Sequence, residues 1–79
     1  MPSADVPISQ PKTIEIVLNG ELKRVPDGLN VLELLLALGV EPERVAVELD
    51  RGIVRQPDWE NRKVEGGALV EIVQFVGGG

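Results

Sequence analysis

The chain has 79 residues, room for one small domain with a thin stability margin and no large enclosed pocket. It has no Cys and no His, which excludes a disulfide framework and a thiolate nucleophile, and removes the commonest general base and metal ligand; no catalytic residue and no metal site is expected. With 13 acidic against 8 basic residues the net charge is -5, so nucleic acid and anionic membrane surfaces are repelled and a basic protein partner is expected instead.

Residues 1–12 form the expected flexible leader: Pro2, Pro7 and Pro11 are spaced among Ser3, Asp5, Ser9 and Gln10. Met1 to Pro11 has neither the basic start nor the apolar run of a secretory signal. Nothing in the chain approaches the roughly 18 apolar residues of a membrane span. The default expectation is cytoplasmic.

From Thr13, Ile14, Ile16 and Leu18 recur at the period of a half-buried strand. Asn19-Gly20 is a strong hairpin signal, because both central residues of a type I′ turn need positive φ, and Glu21 to Val25 is the expected return strand. Pro26-Asp27-Gly28 breaks the ladder. Asn30 with Glu33 then outlines a helix N-terminus, the Asn accepting from orphan N–H groups and the Glu favouring the positive end of the helix dipole. Val31, Leu34, Leu35 and Leu38 lie on one helical face, widened by Leu32, and Gly39 suits the left-handed C′ position. The helix is expected to run about eight residues, too short to stand without packing on a sheet.

After Glu41-Pro42, Val45, Val47 and Leu49 mark a third strand with Ala46 and Glu48 on its other side. Asp50-Arg51-Gly52 turns the chain into Ile53-Val54. Arg55 to Lys63 reads as loop with one short helical turn, and Gly66-Gly67 leads into a last strand from Leu69 to Val76. Along that strand Val70 and Ile72 face a core, whereas Glu71, Val73 and Phe75 face the other way. Apolar side chains on a solvent face commonly mark a binding surface. Val73, Phe75 and Val76 are therefore candidate partner-docking residues, weighed against a second small core covered by the helix or Trp59. Beyond them, Gly77-Gly78-Gly79 has no side chain to obstruct a narrow channel. Gly77 and Gly78 are assigned to threading and the Gly79 carboxylate to covalent chemistry, against the plainer reading of a frayed end.

The order ββαββ, with one helix and closely spaced strands, points to an α+β fold. It would be a ubiquitin-like β-grasp of residues 13–76, a mixed four- to five-stranded sheet with one main helix across it, followed by the tail 77–79. Asn19-Gly20-Glu21, Val45-Ala46-Val47-Glu48-Leu49, Ile53-Val54 with Arg55 and Trp59, and the close from Val70 to Gly79 resemble the ThiS family of sulfur carrier proteins from thiamine biosynthesis. The similarity spans Thr13 to Gly79. Such chains usually carry Gly-Asp where this one has Gly66-Gly67, which implies a looser turn there.

The resemblance implies a carrier rather than an enzyme, with no cofactor of its own. A ThiF-like adenylyltransferase would use ATP to activate the Gly79 carboxylate. A persulfide protein would supply sulfur to give a thiocarboxylate, and a ThiG-like thiazole synthase would accept it. Other readings stay open: a MoaD-like carrier for molybdopterin, against which Phe75-Val76-Gly77 stands because those chains approach the glycines through prolines; a ubiquitin-like modifier; or an inert β-grasp interaction domain. Trp59 reads first as a loop anchor over the core edge and second as a docking residue. Arg51, Arg55 and Arg62 read as solvated charges, and Glu48 and Glu71 either as an acidic docking face or as ordinary exposed strand carboxylates.

Overall fold

The first hairpin sets the frame. In the computed structural model, which describes residues 12–75, Asn19 (φ 50) and Gly20 (φ 86) both take left-handed backbone, the geometry a two-residue I′ turn demands. They join β1 (Thr13–Leu18) to β2 (Glu21–Pro26) antiparallel, in register from Leu18↔Glu21 to Thr13↔Pro26. Lys12 already takes part, its carbonyl accepting from the Asp27 N–H at 3.0 Å. Residues 1–11 of the expected leader lie outside the described residues.

The helix α1 runs Val31–Ala37, one residue shorter than the periodicity predicts, because Leu38 is its C-cap. At its start Asn30 Oδ1 accepts from the Glu33 N–H (2.8 Å) and Glu33 Oε1 accepts from the Asn30 N–H (2.9 Å). This reciprocal box satisfies two donors that a helix start otherwise leaves open. At its end Gly39 sits at φ 76. The Val40 N–H reaches the Leu35 carbonyl (3.0 Å) and the Gly39 N–H reaches that of Leu36 (3.1 Å), a Schellman closure. Seven residues do not hold a helix by themselves; Val31, Leu34 and Leu35, all buried, hold it by packing on the sheet.

A 3₁₀ turn at Pro42–Arg44 leads into β3 (Val45–Leu49), which pairs antiparallel with β4 (Gly52–Val54) through Asp50 and Arg51. The expected single helical turn in the next loop is instead a six-residue 3₁₀ helix, Gln56–Asn61. Contacts with β4 and with the start of α1 hold it. Trp59 is 3% exposed and its Nε1–H donates to the Val54 carbonyl at 2.8 Å, while the Val31 N–H donates to the Arg62 carbonyl (2.9 Å) and Asn30 Nδ2 to that of Glu60 (3.2 Å). Trp59 is thus the anchor of this loop. The Gly66-Gly67 turn is not loose either: the Gly67 N–H donates to the Glu15 carbonyl at 2.8 Å.

The last strand, β5, spans Leu69–Gln74, ending before Phe75; Val76, the expected end, lies outside the described residues. It enters the middle of the sheet, whose order is β2-β1-β5-β3-β4, lying parallel to β1 and antiparallel to β3. The result is the expected α+β mixed sheet, five-stranded, with one main helix. Its core lies between that helix and the inner sheet face, centred on Ile16, Leu34, Leu35, Val47, Val64 and Val70. Replacing Asn30 with Ala removes the cap acceptor, and should lower the free energy of unfolding by about 1 kcal/mol; urea denaturation with an unchanged m-value is the check.

Candidate functional site: the last strand and its outer face

β5 is held from both sides as far as Ile72, and from the β3 side alone over its last residues. On one side β3 pairs with it from Leu49↔Val70 to Val45↔Gln74, and the Phe75 N–H still finds the Arg44 carbonyl at 2.7 Å. On the other side the parallel ladder with β1 has only the pairs Val17↔Leu69 and Leu18↔Val70. Asn19 extends it. Its N–H donates to the Val70 carbonyl (2.8 Å), its Oδ1 accepts from the Ile72 N–H (2.8 Å), and its Nδ2 donates to the Ile72 carbonyl (3.3 Å). The carboxamide stands in for one more peptide unit of strand.

Asp50 does comparable work at the other end of β5. It has φ 52 and Arg51 has φ 73, positions that side chains other than Gly, Asn and Asp occupy at a cost. The Asp50 N–H donates to the Leu69 carbonyl (2.7 Å), and its Oδ1 accepts from the Leu69 N–H (2.9 Å). Neither role is visible in the sequence beyond the turn itself. The available signal is chemical: each two-residue turn opens on Asn or Asp, whose short polar side chains reach backbone groups nearby.

The alternation expected along β5 is present. Val70 is 1% exposed and Ile72 packs against the core, whereas Val73 and Phe75 are 58% and 55% exposed. The alternative of a second small core over them does not hold, since Trp59 and the helix pack on the inner side. Leu69 (37%), Ile53 (75%) and Leu22 (71%) are also exposed. Register puts them on the same outer face as Val73, with Ala46 opposite Val73 and Glu48 opposite Glu71. Beside Phe75 a hollow of ≈ 550 Å³ lies at the end of the sheet, bordered by Ala46 and Ile53 of the outer face, by Pro57, and by Val45, Val47 and Trp59 of the inner side. Val76, Gly77, Gly78 and Gly79 lie outside the described residues. Among the described residues, no helix is long and apolar enough to cross a membrane.

The sequence profile of the ThiS family matches residues 10–79. The chain belongs to the ThiS family. It is similar to the crystal structure of the thiamine biosynthesis protein ThiS from Geobacter metallireducens, at 36% identity and a TM-score of 0.73, covering 84% of this chain and 100% of that one. A solution NMR structure of a thiamine biosynthesis protein from the same organism matches at 36% identity and a TM-score of 0.71, covering 84% and 88%. The likeness supports the β-grasp assignment. Two curated relatives are thiazole synthases, from Paramagnetospirillum magneticum (38% identical over 66 residues) and Magnetococcus marinus (35% over 66). The match takes in 84% of this chain and 20% of each relative, so the chain spans about a fifth of their length.

The contrast between Asn19 and Phe75 is measurable. Asn19→Ala removes the side-chain partner of the Ile72 backbone groups and should cost about 0.5–1.5 kcal/mol. Phe75→Ala truncates an exposed side chain and should stay within about 0.5 kcal/mol of the parent. Urea unfolding of the two variants checks both.

Proposed function

We propose that the chain is a sulfur carrier whose reactive group is the Gly79 α-carboxylate, with no catalytic residue of its own. The observation that carries this reading is a strand held on both edges as far as Ile72 and on the β3 edge as far as Phe75, leading in sequence directly to Val76 and three glycines. The folded domain fixes the origin of the tail. Without a Cβ, Gly77 and Gly78 allow close passage of a surrounding channel.

An unperturbed α-carboxyl titrates at about 3.5, so at neutral pH it is an anion able to attack phosphorus but a poor electrophile at its own carbon. A ThiF-like adenylyltransferase resolves this: a carboxylate oxygen bonds to the α-phosphorus of ATP and pyrophosphate leaves. A protein persulfide then attacks the acyl carbon and AMP departs. Attack of a further thiol on the resulting acyl disulfide leaves the thiocarboxylate on Gly79 and a disulfide on the donor side. The absence of Cys means that no internal thiol competes for the activated terminus.

The acceptor in this reading is a ThiG-like thiazole synthase. Support comes from the relatives called thiazole synthase, which contain a stretch resembling most of this chain. Val73, Phe75 and Val76 form the docking patch that lets successive enzymes grip the carrier, and the use of ATP fits a cytoplasmic setting.

Intact mass spectrometry after incubation with ATP, a ThiF-like enzyme and a sulfur source should show one oxygen exchanged for one sulfur at the terminal glycine; isopeptide adducts on other proteins instead would indicate a modifier. Deleting Gly79 should abolish adenylate formation with the melting temperature unchanged, and adenylation of the shortened chain at the parent rate would overturn the terminal-carboxylate mechanism. Gly78→Val should fold normally yet slow adenylation, by about a hundredfold if the terminus is displaced by an ångström or so. Phe75→Ala should weaken binding to the adenylyltransferase; unchanged affinity in a titration would remove Phe75 from the patch.

A further inference from the structure

Glu48 and Glu71 are direct cross-strand partners on the outer face, from β3 and β5. Side chains so placed have Cβ atoms about 4.5–5.5 Å apart, and like charges there are destabilising. Among the described residues, no ion pair relieves them. All 8 Lys and Arg residues are among those described, and the ion pairs within 4.0 Å are Arg24–Glu15 and Arg44–Glu41. Arg51 borders the same shallow hollow as the two glutamates, but makes no such pair with them.

Edge protection does not explain the charges. Acidic or basic side chains commonly guard the free edge of a sheet, whereas β5 and β3 are interior strands flanked by β1 and β4. The surroundings are those of an interface. Ile53 lies across from Glu48 on β4, Leu69 and Val73 flank Glu71 on its own strand, and all three are exposed. A repelling acidic pair inside a rim of exposed apolar groups is complementary to a cation presented between apolar groups.

We infer that Glu48 and Glu71 together receive an arginine or lysine from the enzyme that activates the tail, with Val73, Leu69 and Ile53 packing around it. This rests on the carrier reading above and extends it. A guanidinium suits the site best, because its planar fork can donate to two carboxylates at once. Glu71 precedes Phe75 by four residues on the same face, which separates the two contacts by about 13 Å along the strand. One contact alone leaves the carrier free to pivot. Two contacts fix its rotation and so the direction in which the tail leaves.

The test uses the full chain and a ThiF-like adenylyltransferase, with Glu48→Gln, Glu71→Gln and the double variant. Glu21→Gln, an equal charge change on an exposed residue away from this face, is the control. Three measurements are made: melting temperature of the free carrier, affinity across a salt series, and adenylate formation at saturating enzyme. The glutamine variants should melt at or above the parent temperature and yet bind about tenfold more weakly at low salt, the difference shrinking as salt rises. The control should bind like the parent, and all variants should be adenylated once saturated. Parent-like affinity of the double variant, an equal loss in Glu21→Gln, or a fall in melting temperature sufficient to explain weaker binding would each overturn the inference while leaving the carrier function standing. Failure of the parent chain itself to be adenylated would overturn the carrier reading and this inference with it.

Discussion

The structure depends on the seating of β5 between β1 and β3. Neither hairpin makes a sheet with the other until this strand enters, since the sheet order puts β1 on one side of it and β3 on the other. The inner face of β5 supplies Val70 and Ile72 to the common core, and both edges supply backbone pairing. Asn19 and Asp50, the first residues of the two tight turns, each hold an additional stretch of its backbone. Turns that end hairpins therefore also serve as clasps on a strand distant in sequence.

This arrangement explains which features were legible in the sequence. Asn19-Gly20, the Asn30–Glu33 box and Gly39 are local devices, satisfied within a few residues of themselves, and a local pattern suffices to find them. The alternation of Val70 and Ile72 against Val73 and Phe75 was legible because a strand has only two faces. The 3₁₀ helix at Gln56–Asn61 was not, since Trp59 and Glu60 hold it through contacts with β4 and Asn30. The carboxamide contacts of Asn19 and the confrontation of Glu48 with Glu71 depend on register between separate strands, which residue spacing along the chain does not encode.

The two faces of the sheet divide the work. The inner face carries the helix and nearly all the fully buried side chains, so the fold does not draw on the outer face for its core. Exposed Val73, Phe75 and Ile53 can then vary in their contacts without disturbing what holds the domain together. The proposed carrier role would draw on this separation, because residues optimised for repeated docking are poor candidates for permanent burial.

The central place of β5 also has a mechanical consequence. A partner that draws on the C-terminus pulls along the axis of β5, and the bonds to β1, Asn19 and β3 run across that axis. The load falls in shear on both edges together rather than opening one bond at a time like a zipper. Tension on the tail is resisted by the full width of the sheet, so the tail can be pulled taut while its base stays folded.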